Sequence, residues 1–336
     1  MLRKKIIFYI VSIFFISCTD NNICKGEFVY LENPGKIEIL SGTKLDMEAI
    51  GFNEVTIAGN YILTFSSSNQ QGLLSVCDKN TGKLLAKDLI KNGRGPNEYS
   101  NIALIKIETD TSGIKAWLTA NFAQSVILLN ITESLKLGEP VIEAEIPMGP
   151  GGKAGILSSF MEDRNHFLLF GYSEEQKNMY VSRYDSTNEK TDTLGYLYTR
   201  PIEFTDASAS YIYNQKHQYL VLGQVFFNQI YFYSLRNEAG SFSVSPDKYP
   251  VKFNLIQDTP YPDRKVYFTS SFATNDLLVF LNSQNRVLFL DWEGNILKTA
   301  ELDHPATSIV LDEKTKTLYG INQAREEIYV YGALHF

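Results

Sequence analysis

Histidine is the side chain most apt to do acid–base work near neutral pH, and this chain has four: His166, His217, His304 and His335. They stand in unrelated contexts, with no HExxH helix and no GxSxG elbow. The run Gly149-Pro150-Gly151-Gly152-Lys153 is glycine-rich, but no Ser or Thr follows the lysine, so a phosphate loop is not expected. The three cysteines, Cys18, Cys24 and Cys77, form no CxxC pair and no Cys/His cluster, which argues against structural zinc. Catalytic residues, a metal and a cofactor are therefore all absent from the expectation.

Binding chemistry is better represented. In Gly93-Arg94-Gly95-Pro96-Asn97-Glu98-Tyr99 the glycines allow tight turns and Pro96 fixes φ. There Arg94, Glu98 and Tyr99 have two readings: ligand contacts, or a loop in which Glu98 caps backbone N–H groups and pairs with Arg94. Amides recur at Asn69-Gln70-Gln71, Asn121 with Gln124, Gln176 with Asn178, Asn228-Gln229, Gln284-Asn285 and Asn322-Gln323. An amide both donates and accepts, which suits sugar or peptide recognition. It equally suits turns that need their own backbone satisfied, and recurrence favours that second role. Arginines lie close to aromatics at Tyr198-Thr199-Arg200-Pro201 and Tyr261-Pro262-Asp263-Arg264, with Phe226-Phe227 beside Asn228. Arg200, Phe227, Tyr261 and Arg264 thus join the candidates for a carboxylated or glycan ligand, or else cover the core.

The first residues read as an address. Arg3, Lys4 and Lys5 precede an apolar run, Ile6 to Ile16, of 11 residues. A membrane span needs about 20, so the run fits an export signal. It ends at Phe15-Ile16-Ser17-Cys18, which resembles the lipobox of bacterial lipoproteins apart from Phe15 in place of the usual Leu. The resemblance implies cleavage before Cys18, lipid attachment there, and an outer-membrane lipoprotein of a Gram-negative cell, periplasmic or surface-facing. The expected organisation is a leader over 1–17, a tether over 18–27 and one domain over 28–336. In an exported compartment Cys24 and Cys77 are free to pair, but one lies in the tether and the other in a strand, which favours two thiols.

Charge narrows the partners. The chain carries −7, with 31 basic and 38 acidic residues. Nucleic-acid binding needs a basic footprint and is not expected. Loss of residues 1–17 removes three basic and no acidic residues, which takes the charge to −10. An acidic body is repelled by anionic lipid, so the lipid rather than the protein surface is expected to hold it at the membrane.

The elements that position these residues follow from a repeat. Aromatic residues make up 13% of the chain, and Tyr and Phe favour strands. A β-rich run ending in a polar turn recurs with its turn at Asp78, Asn130, Asp185, Arg236, Asp291 and Gly332. Successive spacings are 52, 55, 51, 55 and 41 residues. The first period reads as strands Glu54–Ala58, Tyr61–Phe65, Leu73–Asp78 and Lys83–Leu89. The fifth reads as Tyr267–Ser271, Leu277–Leu281, Val287–Asp291 and Ile296–Leu302. Four strands per period, without a helix-length amphipathic segment, predict an all-β fold: a six-bladed β-propeller with four-stranded blades. The sixth copy lacks room for its last strand, and Lys36–Leu40 is expected to supply it by pairing with Ile328–Tyr331.

Asn285-Arg286-Val287-Leu288-Phe289-Leu290-Asp291-Trp292-Glu293-Gly294 resembles an NHL-type repeat, and Gly93–Tyr99 resembles a signature of TolB-like propeller lipoproteins of Bacteroidetes. These resemblances imply a membrane-anchored propeller that binds a peptide, a glycan or an envelope protein at one loop-lined face. The alternative is a metal-dependent propeller lactonase or lyase. It would need several inner-strand acids on one ion, and Glu54 and Glu162 are the nearest available.

Overall fold

The computed structural model describes residues 22–31, 36–66, 72–122, 124–148, 156–249 and 251–334. Cys18, the leader, Asn69-Gln70-Gln71, the run Gly149–Lys153 and His335 lie outside the described residues.

The chain forms a six-bladed β-propeller of six small sheets. Blade 1 runs Glu54–Ala58, Tyr61–Phe65, Leu74–Asp78 and Leu84–Asn92, with the two-residue strand Glu98–Tyr99 on its edge. Blade 2 runs Ile102–Asp110, Gly113–Ala120, Ser125–Asn130 and Ile142–Pro147; blade 3 runs Ile156–Met161, His166–Ser173, Asn178–Asp185 and Lys190–Tyr196. Blade 4 runs Ala209–Asn214, Tyr219–Gln224, Ile230–Ser234 and Phe242–Ser245; blade 5 runs Phe268–Ala273, Leu278–Asn282, Arg286–Leu290 and Ile296–Leu302. Blade 6 runs Ser308–Asp312, Thr317–Asn322 and Glu327–Ala333. Apart from the parallel edge strand Glu98–Tyr99, pairing within a blade is antiparallel, and the first strand lies innermost.

A blade has two apolar faces and can bury them only against neighbours. Six buried clusters do so, one per junction. The cluster of Val55, Ile62 and Cys77 with Val310, Tyr319 and Ile328 joins blade 6 to blade 1 and closes the ring. Both middle strands are buried almost throughout; Ser125–Asn130 and Leu278–Asn282 are buried at every position.

The six repeated turn positions all fall at or just beyond the end of a third strand, apart from Gly332, which lies inside Glu327–Ala333. Their acids act locally. Asp78 Oδ1 accepts the N–H groups of Asn80 and Thr81, Asp185 Oδ1 those of Thr187 and Asn188, and Asp291 Oδ1 those of Glu293 and Asn295. Gly82 and Gly294 then take φ of +71° and +86°, which suits glycine. In blade 2 Asn130 caps a short helix, Ile131–Leu137, instead.

Closure uses a strand displaced from the expected one. Gly42–Leu45, not Lys36–Leu40, completes blade 6, with Ile328 opposite Leu45 and Tyr331 opposite Gly42. Ile37–Leu40 instead runs parallel along the outer edge of blade 5, pairing with Thr299–Leu302. The Asp303 carboxylate sets the crossing by accepting the Ser41 hydroxyl and the Gly42 N–H. Gly42 suits the register because a Cβ there would lie 2.8 Å from the Tyr331 ring. Ile39, whose alternation reads as core, is 74% exposed.

The segment read as tether is also engaged from Asn22 onward. Ile23 and Cys24 are buried between blades 3 and 4, and Glu27–Tyr30 adds a parallel strand outside Phe242–Ser245. The N-terminal chain therefore forms a belt around blades 3 to 6 before entering blade 1. Cys24 and Cys77 are both free and buried. Burial pushes both thiols up, Cys77 to about 11.

Candidate functional site

The first strands of the six blades enclose an axial cavity of about 890 Å³. It opens on the face that carries the first-to-second-strand turns. Thr56, Ile105, Phe160, Tyr213, Phe272 and Leu311 give one wall residue per blade, and the amides of Asn60, Asn214, Gln215 and Asn275 stand at the turns. Along a strand, residues two apart share a face, which makes the wall readable layer by layer. Above Thr56 comes Glu54; above Tyr213 comes Tyr211. Phe160 packs edge-on against Tyr211 at 6.2 Å and lies 5.7 Å from Tyr213.

Glu54 stands one layer above the residues that line the cavity and is exposed there. Desolvation raises its carboxyl above the ordinary 4.5, and the Tyr211 phenol is raised first by its own burial and then by the Glu54 charge. A carboxyl raised on folding favours the folded state below its ordinary value and loses that advantage as pH rises through the folded value. Glu54→Gln is therefore expected to raise the unfolding midpoint at neutral pH and to leave it unchanged below about pH 4. Unfolding curves at the two pH values check this.

The cavity mouth is held by ion pairs. Lys79 Nζ meets Asp312 at 2.7 Å, tying blade 1 to blade 6, with both side chains largely buried. At the blade 3–4 edge Glu162 takes both Nε and a terminal nitrogen of Arg183, at 2.5 and 2.8 Å, and the Tyr213 hydroxyl at 3.3 Å. Of the two acids expected to be nearest to a metal, Glu162 is thus committed to a guanidinium. Among the described residues no group of three or more His, Cys, Asp or Glu is placed to hold a metal ion.

The residues singled out from sequence lie on the opposite face, where blades connect. Arg94, Glu98 and Tyr99 line a separate cavity of about 620 Å³ with Asn121, Phe122 and Glu145. Arg94 is exposed. Glu98 accepts the Gly95 N–H at 2.9 Å, and a Cβ on Gly93 would come within 2.0 Å of its carboxylate, so Glu98 braces its own loop. Tyr99 is buried. Phe227 is fully buried and stacks on Phe253, over which Arg200 lies at 5.3 Å. Asn228 is buried; it accepts the Val251 N–H and donates to Asp247. Arg264 is paired with Asp206 and lies over the rings of Phe226 and Tyr261. Tyr261 is 59% exposed. The structure brings Tyr261, Arg264, Phe227 and Asn228 together over blades 4 and 5, and keeps the Arg94 loop apart at the junction of blades 1 and 2.

The recurring amides share one role. Asn121 accepts Ser100 N–H, Asn178 clasps the backbone of Tyr198, Asn228 takes Val251, and Asn322 donates to Pro305. Each fastens the loop that enters or leaves its own blade. The wall residues Phe160, Tyr211 and Tyr213 were missed from sequence; their signal is the two-residue spacing along a first strand.

Comparison with known proteins gives shape alone. A Bacteroides fragilis NCTC 9343 protein described as exported aligns with a TM-score of 0.50 at 13% identity, over 91% of this chain and 98% of that one. Raptor from Chaetomium thermophilum gives 0.44 at 11% identity over 89% of this chain, which spans 29% of Raptor. BamB from Moraxella catarrhalis gives 0.35 at 12% identity, over 84% and 70%. No protein-family model and no curated protein matches the chain.

Proposed function

We propose that this chain is a non-catalytic binding propeller of the TolB-like or NHL-like lipoprotein kind, tethered to the outer membrane through Cys18, and that it holds a peptide or glycan in its axial cavity. The observation that carries this reading is the cavity itself: every blade contributes wall, and the wall mixes aromatic faces and turn amides. Aromatic walls suit sugar rings and apolar side chains, and amides suit polar groups of either kind. The leader is assigned to 1–17. The tether is assigned from Cys18, and the belt that begins at Asn22 belongs to the wheel.

The test is a glycan and peptide array probed with the mature chain, then repeated with Thr109→Trp. Thr109 lies exposed on the cavity wall, so an indole there occupies the space without touching a blade junction. Binding is expected to fall about tenfold or more, or at least about 1.4 kcal/mol, with the unfolding midpoint unchanged. Undiminished binding by Thr109→Trp overturns the axial assignment.

A further inference from the structure

We propose that the face bearing the blade-to-blade loops of blades 3 to 5 rests on the membrane surface that holds Cys18, so that the axial mouth points away from the lipid. This rests on the lipoprotein reading of Cys18.

Apolar exposure differs between the two faces of the wheel. In the loops 197–208 and 246–267, Phe204 (47%), Tyr249 (74%), Leu255 (58%), Tyr261 (59%) and Val266 (41%) are open to solvent. Both loops lie on one face. In the connections of the opposite face, Leu137 is the one large hydrophobic side chain so exposed among the described residues. The blade-connecting face also exposes Ile50 (65%) and Phe122 (74%) at blades 1 and 2, but five such side chains in two adjacent loops mark an interaction surface. Tyr249 beside Lys248 suits a lipid interface, where a ring sits among headgroups and an ammonium reaches outward. Lys248 lies over the Tyr249 ring at 5.7 Å.

The N-terminal chain also leaves the body beside this patch. The Ile23 carbonyl accepts the Thr199 N–H and hydroxyl, so the N-terminal chain meets the body beside the start of loop 197–208. Three residues, 19–21, lie between Cys18 and Asn22. Four residue steps reach at most about 14 Å. A lipid on Cys18 is therefore confined to the rim next to this patch and is far from the axial mouth.

Charge permits the same contact. The whole chain is acidic, but loops 197–208 and 246–267 together hold five basic and five acidic side chains, and Arg264 and Asp206 among them neutralise each other. The repulsion expected of the acidic body is thus reduced on this face. The lipid supplies the hold and the loops supply the orientation.

The experiment uses the full lipidated chain on vesicles of three parts phosphatidylethanolamine to one part phosphatidylglycerol, with brominated acyl chains as quencher. Tyr249→Cys, Leu255→Cys and Leu137→Cys are each labelled with an environment-sensitive fluorophore. Cys24 and Cys77 are buried and stay unlabelled. Mass spectrometry first reads the Cys18 adduct. The expected result is a lipidated Cys18, a blue shift with loss of most emission at positions 249 and 255, and unchanged emission at 137. A lipidated chain with bright labels at 249 and 255, or with quenching at 137 instead, overturns the orientation and leaves the lipoprotein reading standing. An unmodified Cys18 overturns both.

Discussion

Tyr331→Ala is expected to lower the free energy of unfolding by about 3–5 kcal/mol, the range for removing a large buried ring. Tyr331 is 1% exposed and sits in the cluster between blades 5 and 6. Its ring covers Gly42 on the closing strand and Gly320 on the neighbouring one; a Cβ at either glycine would lie 2.8 or 3.0 Å from it. Two side-chain-free positions facing one ring leave a cavity that backbone alone cannot refill, so little relaxation is available. The hydroxyl donates to the His304 carbonyl at a long 3.4 Å, and Tyr331→Phe should cost only about 1 kcal/mol. Denaturant unfolding of the two variants separates ring from hydroxyl. An alanine variant as stable as the phenylalanine variant would mean that closure does not depend on this contact.

Arg264→Leu is expected to cost a similar amount, about 3–5 kcal/mol, for a different reason. The guanidinium is paired with Asp206, the two side chains being 9% and 4% exposed. Its Nε also donates to the Thr259 carbonyl at 3.0 Å within the long loop between blades 4 and 5, while the Asp206 pair holds that loop against the one between blades 3 and 4. Removing the arginine leaves a buried carboxylate without its cation, which is worse than having neither charge. The double variant Arg264→Leu/Asp206→Leu should therefore recover much of the loss. A double-mutant cycle by chemical denaturation measures this. Strict additivity of the two single losses would show that the pair does not act as a unit.

The blades were legible in the sequence because their determinants are local. Asp78, Asp185 and Asp291 each bond backbone N–H groups within four residues. The turn they make follows from those few residues wherever they occur. The strands flanking them agree with the expected ones to within a few residues in blades 1 and 5. What was misplaced is non-local. Ile37 and Ile39 have the alternation of a half-buried strand, yet their edge position on blade 5 is fixed by Asp303, far along the chain. Gly42-Thr43-Lys44-Leu45 closes the ring with no apolar pattern, because a glycine against Tyr331 is what the junction accommodates. The candidate site was obscured in the same way. Arg264 and Asn228 have the side chains of ligand contacts, and only packing shows that Asp206 and Val251 already occupy them. Glu54 and Tyr211 lie 157 positions apart and face each other only once the wheel exists.

The belt also imposes an order on biosynthesis. Lys44 and Glu327, joined across the seam, are 283 residues apart. At a translation rate of about 5–20 residues per second, the first-made half of that seam waits roughly 15–60 s for the second. Throughout that interval Gly42–Leu45 has no mate, while Glu27–Tyr30 and Ile37–Leu40 gain theirs only when Phe242–Ser245 and Thr299–Leu302 have been made. Unpaired strand edges recruit other chains. A chain ending short of residue 327 keeps Gly42–Leu45 without its partner strand and is expected to associate with other chains rather than to close into a smaller wheel.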